Sequence, residues 1–198
     1  RLATAPKRLN DDAVIRRVLN ANLRLGKTAN LKAVAEVAAN AGLDETIRVE
    51  ALTLIAAWNE PPPLDRVNGR WWPIDKRTLD GISEMVAPYL TGLWSDSDAI
   101  VEATIDLLAV HPISSTTDKL TDIMKNDAVT DSLRVKALNA VYLSHKDPKI
   151  LTDAIASSSA ELRAKARTML VGDDLTSGLI ELNKALRSGA LIEKQTAI

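Results

Sequence analysis

Three of the four tryptophans in this sequence lie in or beside one proline-rich stretch, residues 59–77, together with arginine and aspartate. Indole rings stack on sugars and on apolar side chains of partners, and neighbouring polar groups fix the orientation of what is bound. The stretch is therefore a candidate recognition site for a sugar or a protein. Its candidate residues are Trp58, Asp65, Arg66, Gly69, Arg70, Trp71, Trp72 and Pro73.

The same residues also have a structural interpretation, in which the Trp rings and prolines hold the stretch against neighbouring helices. Ordering each loop residue costs roughly 1–2 kcal/mol of backbone entropy. Burying a Trp ring returns on the order of 4–6 kcal/mol at 25 cal/mol per Å². We favour this interpretation, with Asp65 and Arg66 satisfying buried backbone groups. It predicts an ordered segment, folded back on the helices, with at least one of Trp71 and Trp72 substantially buried.

Other residue types that carry out chemistry are sparse. His111 and His145 lie near predicted helix ends and lack the paired spacing of a metal site such as HExxH. The serine-rich runs at 114–117 and 157–159 precede predicted helices, where helix capping explains them. The three methionines, Met85, Met124 and Met169, fit a core better than a haem site. The sequence thus predicts no catalytic residue, metal or cofactor.

Composition limits the classes of partner. The 25 basic and 26 acidic residues give a formal charge of −1 with no basic cluster, which argues against nucleic acid. The absence of Cys excludes disulfides, thiolate zinc sites and covalent c-type haem within these residues. No apolar run is long enough to span a bilayer, and residues 1–10 lack the apolar centre of a signal peptide. We expect a protein partner rather than nucleic acid, a membrane or a small molecule.

A short phrase recurs at intervals of roughly thirty residues, the signature of a repeat protein. It consists of an aliphatic residue, usually a charge, and then Ala or an aliphatic residue four places on. Copies begin at Ile15, Ile47, Ile100, Leu133 and Leu162, with a truncated one at Ile192. Helical spacing of the apolar positions makes each copy the second helix of a pair. The first helices are predicted at 31–41, 79–90, 119–125, 150–156 and 179–186.

Short helix pairs cannot bury their own apolar faces, so neighbouring pairs must stack. The sequence predicts an all-α fold of about ten or eleven helices: a right-handed α-α superhelix of the HEAT or armadillo type. An irregular helical bundle is the alternative. Residues 1–198 are expected to form a single HEAT-like domain, truncated at both ends, with an inter-helix insertion at 59–77.

Capping residues are predicted at the helix ends. The expected C-terminal caps in the left-handed conformation are Gly26, Gly42, Gly172 and Gly189. The expected N-terminal caps are Asp44, Asp131 and Asp147, with Pro148 following, and Ser158 with Glu161 has the spacing of a capping box.

One segment carries a narrower resemblance than that to HEAT repeats. Residues 51–58, the prolines, Asp65-Arg66-Val67, Gly69, Trp71 and Pro73 resemble a segment of large multidomain proteins of planctomycetes and verrucomicrobia. In that family a sugar-dehydrogenase-type β-propeller is followed by HEAT repeats and a cytochrome c domain with a CxxCH motif. The match covers about twenty-five residues, and Trp72 stands where the family has a basic residue. Neither CxxCH nor propeller strands occur here.

The resemblance implies a position between an oxidoreductase domain and a cytochrome c domain of an exported, periplasmic protein. The leading hypothesis is a non-catalytic interaction or spacer module that contacts neighbouring domains of its parent chain or another protein. A carbohydrate-binding module using Trp71 and Trp72 is the second hypothesis. The third is an enzyme on a HEAT scaffold: balanced charge argues against a DNA-glycosylase-like one, and no residue supports a bilin-lyase-like one.

Overall fold

A computed structural model of the protein describes residues 11–198, apart from the side chain of Ser95. The prediction that residues 1–10 lack the apolar centre of a signal peptide concerns residues outside this range. The helices are α1 (Asp12–Leu25), α2 (Thr28–Ala39), α3 (Glu45–Ala56), α4 (Ile82–Leu90), α5 (Asp98–Val110), α6 (Thr117–Lys125), α7 (Asp131–His145), α8 (Pro148–Ile155), α9 (Ala160–Asp173), α10 (Leu175–Ser188) and α11 (Leu191–Gln195). Short 3₁₀ turns occupy Thr91–Ser95 and Ser114–Thr116.

The all-α prediction is confirmed for the described residues. Their β-structure is limited to one isolated antiparallel bridge between Leu64 and Trp71. No helix in this part of the chain is long and apolar enough to cross a membrane. The helices form two compact units, Arg1–His111 and Pro112–Ile198. The predicted single domain with truncated ends stays a prediction.

In the first unit, helices pack against their sequence neighbours in the manner of stacked pairs. The first helices α2 and α4 contact each other, the second helices α3 and α5 contact each other, and α2 packs along its own partner α3. Helix α1 lies against α2 and α3. Fully buried aliphatic side chains fill the space between them: Leu19, Leu31, Ile47, Leu52, Ile55, Ile100 and Ile105.

The second unit repeats this arrangement. Helix α6 pairs with α7 and α8 with α9, and the second helices α7 and α9 pack on each other. Helices α10 and α11 both contact α9. Its core is built mainly from Ala and Leu, whose small side chains allow close approach of helices: Ala137, Leu138, Ala140, Leu151, Leu162 and Ala166. The fold is thus solenoid-like, while the HEAT class and the right-handed twist stay predictions.

Several predicted caps are confirmed. Gly26 ends α1 in the left-handed conformation, with φ of 65°. Asp44 accepts a hydrogen bond from the Thr46 amide at the start of α3, and Asp147 accepts one from Lys149 at the start of α8. Pro148 opens α8 at a position where its missing N–H costs nothing.

Of the other predicted glycine stops, Gly189 does end α10, but not in the left-handed conformation, and Gly42 and Gly172 are wrong. Gly172 lies inside α9, because Asp174 ends that helix and starts the next. Gly189 follows α10 with an extended backbone, and Gly42 lies beyond Asn40, which caps α2. Among residues 11–198, positive φ occurs at glycines 26, 69 and 81 and at Lys146, which caps α7 at φ of 52°.

Two predicted helix starts are off by one residue. Thr130 precedes α7, so Asp131 is its first helical residue rather than its cap. Ser159, not Ser158, caps α9 by accepting a hydrogen bond from the Leu162 amide. The capping box of Ser158 with Glu161 is therefore wrong, and Ser158 donates to Asp127 instead.

Candidate interaction site on the 59–77 insertion

The insertion between α3 and α4 closes at its base through Asn59. The Arg77 amide donates to the Asn59 carbonyl at 2.8 Å, and the Leu79 amide donates to Asn59 Oδ1 at 3.1 Å. The base of the segment is thereby held by main-chain and amide hydrogen bonds. The Lys76–Glu60 ion pair nearby is fully exposed to solvent and contributes little.

Arg77 ties this base to α1. Its guanidinium donates to the carbonyl of Leu23, one of the α1 carbonyls that lack a partner within the helix, and lies over the ring of Trp58 at 5.6 Å. Burial lowers the pKa of Arg77. A Cβ added to Gly26 would lie 2.5 Å from Arg77 Cζ, so a larger residue there would displace the guanidinium from this position.

Asp65 organises the middle of the insertion. Its Oδ1 accepts hydrogen bonds from the amides of Val67 and Asn68 at 2.9 and 3.0 Å. Its own amide donates to the Arg70 carbonyl, and its carbonyl accepts from the Gly69 amide, both at 2.8 Å. Gly69 adopts a φ of 68°, which glycine reaches without strain. The result is a tight turn over 65–70 followed by the Leu64–Trp71 bridge.

The second carboxylate oxygen of Asp65 binds the surface of α1. Asn20 Nδ2 and Arg24 Nε both donate to Oδ2 at 2.9 Å. The hydrogen bond from Asn20, together with those from the Asn68 and Val67 amides and from Arg24, outweighs burial and lowers the pKa of Asp65 to about 2. Asp65 is 4% exposed, so its charge is buried, and both of its carboxylate oxygens accept hydrogen bonds.

A second charged contact lies on α1 at Arg16, four residues before Asn20. Arg16 pairs with Glu50 of α3, and Arg66 of the insertion approaches the other oxygen of Glu50 at 3.5 Å. Arg16, Asn20 and Arg24 recur every four residues, so one face of α1 carries all of these contacts. That spacing was the sequence signal for the receiving surface, and sequence reasoning missed it together with the anchoring role of Arg77.

The structure corrects the prediction that a Trp71 or Trp72 ring is substantially buried. Trp71 is 71% exposed and Trp72 is 59% exposed, whereas Trp58 is fully buried. Asp65, Arg77 and Trp58 supply the anchors that we assigned to the other two rings. Burial of Trp71 and Trp72 is therefore not needed to order the segment.

Trp72 is nevertheless held in place. The Arg24 guanidinium lies over one face of its ring, 4.2 Å from the centroid, and also donates to the Trp72 carbonyl at 3.3 Å. The Trp72 amide donates to the Pro63 carbonyl at 2.9 Å. Trp71 pairs with Leu64 through the bridge, and Pro73 is exposed beyond them. Both rings thus project from a fixed backbone.

Four exposed apolar side chains result, which we call the tryptophan patch: Leu64, Val67, Trp71 and Trp72. Arg66 and Arg70 lie within the same turn, and Arg70 is exposed and forms no ion pair with any described residue. Exposed apolar side chains with cationic neighbours are suited to binding.

The arginine of the repeated phrase has a structural role. Arg48 Nε donates to the Ala38 carbonyl and Arg134 Nε to the Met124 carbonyl, each at 3.0 Å and each ten residues back. Arg163 donates to the carbonyls of Ser157 and Ser158 at 2.8 Å. Arg48 and Arg134 therefore satisfy carbonyls in the last turn of the preceding helix, and Arg163 satisfies carbonyls of the turn that follows α8. These contacts explain the motif without a ligand.

Buried charge in the second unit centres on Glu193 of α11. Arg163 and Arg167, both on α9, bind its two oxygens. These contacts, led by the hydrogen bond from Arg163, lower the pKa of Glu193 to about 2. The cluster attaches α11 to α9.

The remaining candidates occupy structural positions. His111 caps α5 and its lowered pKa follows from burial, while His145 is the last residue of α7 and hydrogen-bonds Thr117. A cavity of about 200 Å³ in the second unit is lined by Met124, Asp127 and Arg134 among others. Among the described residues, no group of three His, Cys, Asp or Glu side chains is placed to hold a metal ion.

Comparisons with family models, with curated proteins and with solved structures gave no match. The class of this protein is therefore defined by its own architecture: an all-α, solenoid-like fold whose insertion carries an exposed tryptophan patch.

Proposed function

We propose that this protein is a non-catalytic interaction module, in which stacked helix pairs present the 59–77 insertion to a protein partner. One observation carries the proposal: two adjacent Trp rings are exposed on a segment whose backbone is fixed by Asp65 and Arg77. A rigid, preorganised aromatic surface binds at a low cost in conformational entropy.

The resemblance of the insertion to the planctomycete and verrucomicrobial proteins supplies a candidate partner. In such a parent chain the module would separate an oxidoreductase domain from a cytochrome c domain in the periplasm, and the patch would contact one of them. The reading frame on either side of this sequence tests that context. Flanking propeller and CxxCH sequences would support it, and unrelated flanks would remove it.

Binding itself is tested with a random peptide library displayed on phage. The library is selected on the wild-type protein and counter-selected on a Trp71→Ala/Trp72→Ala variant. We expect peptides that bind only when both rings are present. Failure to enrich any peptide that depends on these rings would contradict the proposal.

Carbohydrate binding is the second candidate, because exposed Trp rings also stack on sugars. A glycan array probed with the wild type and the same double variant separates the two. The carbohydrate proposal would replace the protein-binding one if binding to a glycan on the array required Trp71 and Trp72 and the library gave no peptide that depends on these rings.

A further inference from the structure

The charges around the tryptophan patch are unbalanced. In the turn over 65–70 and its contacts on α1, Arg24 pairs with Asp65, Arg16 and Arg66 share Glu50, and Arg70 has no ion pair with a described residue. Arg16 also lies near the carboxylate of Asp44, so these four arginines face three carboxylates and leave an excess of one positive charge, which Arg70 carries. This local excess occurs in a sequence whose overall formal charge is −1.

Neither Asp65 nor Glu50 is available to neutralise more charge. Both oxygens of Asp65 are occupied, one by Asn20 and Arg24 and the other by loop amides. Glu50 lies between Arg16 and Arg66. Arg70 remains exposed without an ion pair in the described part of the chain, so its guanidinium can take an external carboxylate.

We propose that the 59–77 insertion binds an acidic segment of a partner protein, in which carboxylates flank at least one aromatic or long aliphatic side chain. The proposal rests on the proposed function and specifies its partner. Separate apolar side chains of the partner cover Trp71 and the open face of Trp72, while the carboxylates reach Arg70 and the partly exposed Arg66. Carboxylate–guanidinium pairs at the rim of an apolar contact give specificity and speed association.

The placement of the two rings favours a peptide over a sugar chain. Successive side chains of an extended segment point to opposite sides, and Arg24 already covers one face of Trp72. The two rings therefore do not form one continuous flat platform for successive sugar rings. A folded or extended peptide can contact them from different directions with separate side chains.

Three matched synthetic peptides test the proposal on the full chain. They share the same aromatic and leucine residues and differ only in the intervening residues: Glu, Gln or Lys. Binding is followed by fluorescence anisotropy of labelled peptides at low and high salt. We expect the Glu peptide to bind roughly tenfold tighter than the Gln peptide at low salt, the Lys peptide to bind weakest, and the difference to shrink at high salt.

Variants locate the interaction. Arg70→Gln and Arg66→Gln should bring the Glu peptide to the affinity of the Gln peptide, because each removes a guanidinium that pairs with a carboxylate. The Arg70 substitution should leave the loop folded, since Arg70 makes its loop hydrogen bonds through its backbone alone. Lys149→Gln, which removes an exposed cation from α8, is the matched control and should have no effect. Circular dichroism confirms that each variant is folded.

The possible failures can be told apart. Equal binding of the three peptides, abolished by Trp71→Ala, would overturn the acidic-partner inference and leave the proposed function standing. Binding of no peptide, with Trp71-dependent binding to oligosaccharides or to phosphatidylglycerol vesicles, would overturn both.

Discussion

At the scale of single residues, Asp65 and Trp71 show that the size and apolar character of a side chain are poor guides to what holds this segment. Asp65 is a small polar residue in a loop, yet both of its carboxylate oxygens are used and it joins the insertion to α1. Trp71 is a large apolar residue that makes no comparable anchor. Two substitutions separate these roles.

Replacing Asp65 with Asn removes the charge that Arg24 and Asn20 bind while keeping the size of the side chain. We expect the free energy of unfolding to fall by about 2 kcal/mol, because hydrogen bonds to a charged group are lost and the partly buried Arg24 loses its partner. Urea denaturation measures the change. Asp75→Asn, an exposed carboxylate of the same insertion, is the control, and equal losses in the two variants would contradict the assigned role of Asp65.

Replacing Trp71 with Ala should leave the melting temperature nearly unchanged, within about 0.5 kcal/mol of stability, as for other exposed side chains. Replacing the fully buried Trp58 with Ala should cost about 3–5 kcal/mol, because it removes a large buried ring and leaves a cavity. Differential scanning calorimetry compares the two. A large loss in Trp71→Ala would restore the structural interpretation of the exposed rings.

At the scale of elements, the path of the insertion depends on how α1 ends. Gly26 leaves the helix in a left-handed conformation, and this exposes the Leu23 carbonyl to Arg77. Other helices end differently, with Asn40 after α2 and Asp174 after α9. Gly26 and Gly172, which were both predicted to be helix caps, therefore have opposite effects on stability.

Gly26→Ala and Gly172→Ala test this contrast. Gly26→Ala should destabilise the protein by about 1–2 kcal/mol from the left-handed backbone alone, and its Cβ would also displace Arg77. Gly172→Ala should stabilise it by about 0.4–1 kcal/mol, because Gly172 is helical and its surroundings are open. Thermal unfolding followed by the circular-dichroism signal of the helices gives both changes in stability. Changes of the same sign in the two variants would refute the assigned roles.

At the scale of the whole molecule, each unit contains one buried carboxylate that several donors hold in its charged form. Asp65 and Glu193 both have a pKa of about 2, against ordinary values of 3.8 and 4.5. The unfolded chain therefore binds protons at a higher pH than the folded chain does. The stabilisation from these groups is complete above the ordinary pKa values and disappears as the pH falls toward 2.

We accordingly expect stability to decline steeply between about pH 5 and pH 2. Glu193→Gln should be less stable at neutral pH and should lose less stability over the same interval than the wild type. Urea unfolding at a series of pH values measures both slopes. Parallel pH profiles for wild type and variant would show that Glu193 does not carry the acid sensitivity assigned to it.

The sequence by itself determined the helical architecture. The phrase beginning at Ile47 and Leu133 places apolar residues on one face at helical spacing, and Ile47 is fully buried while Leu133 is half-buried. Local chemistry also fixed the start of α3 at Asp44 and the start of α8 at Asp147. These features depend on residues within a few positions of one another, so a local pattern is enough to find them.

Only the tertiary structure decided what anchors the insertion and what it exposes. Asp65 meets Asn20 and Arg24 across at least forty intervening positions, and Arg77 meets Leu23 across more than fifty. Charged and polar contacts over such separations carry no periodic signal in one sequence. Sequence reasoning therefore assigned the anchoring to the apolar rings of Trp71 and Trp72, whereas long-range ion pairs and hydrogen bonds perform it and leave both rings at the surface.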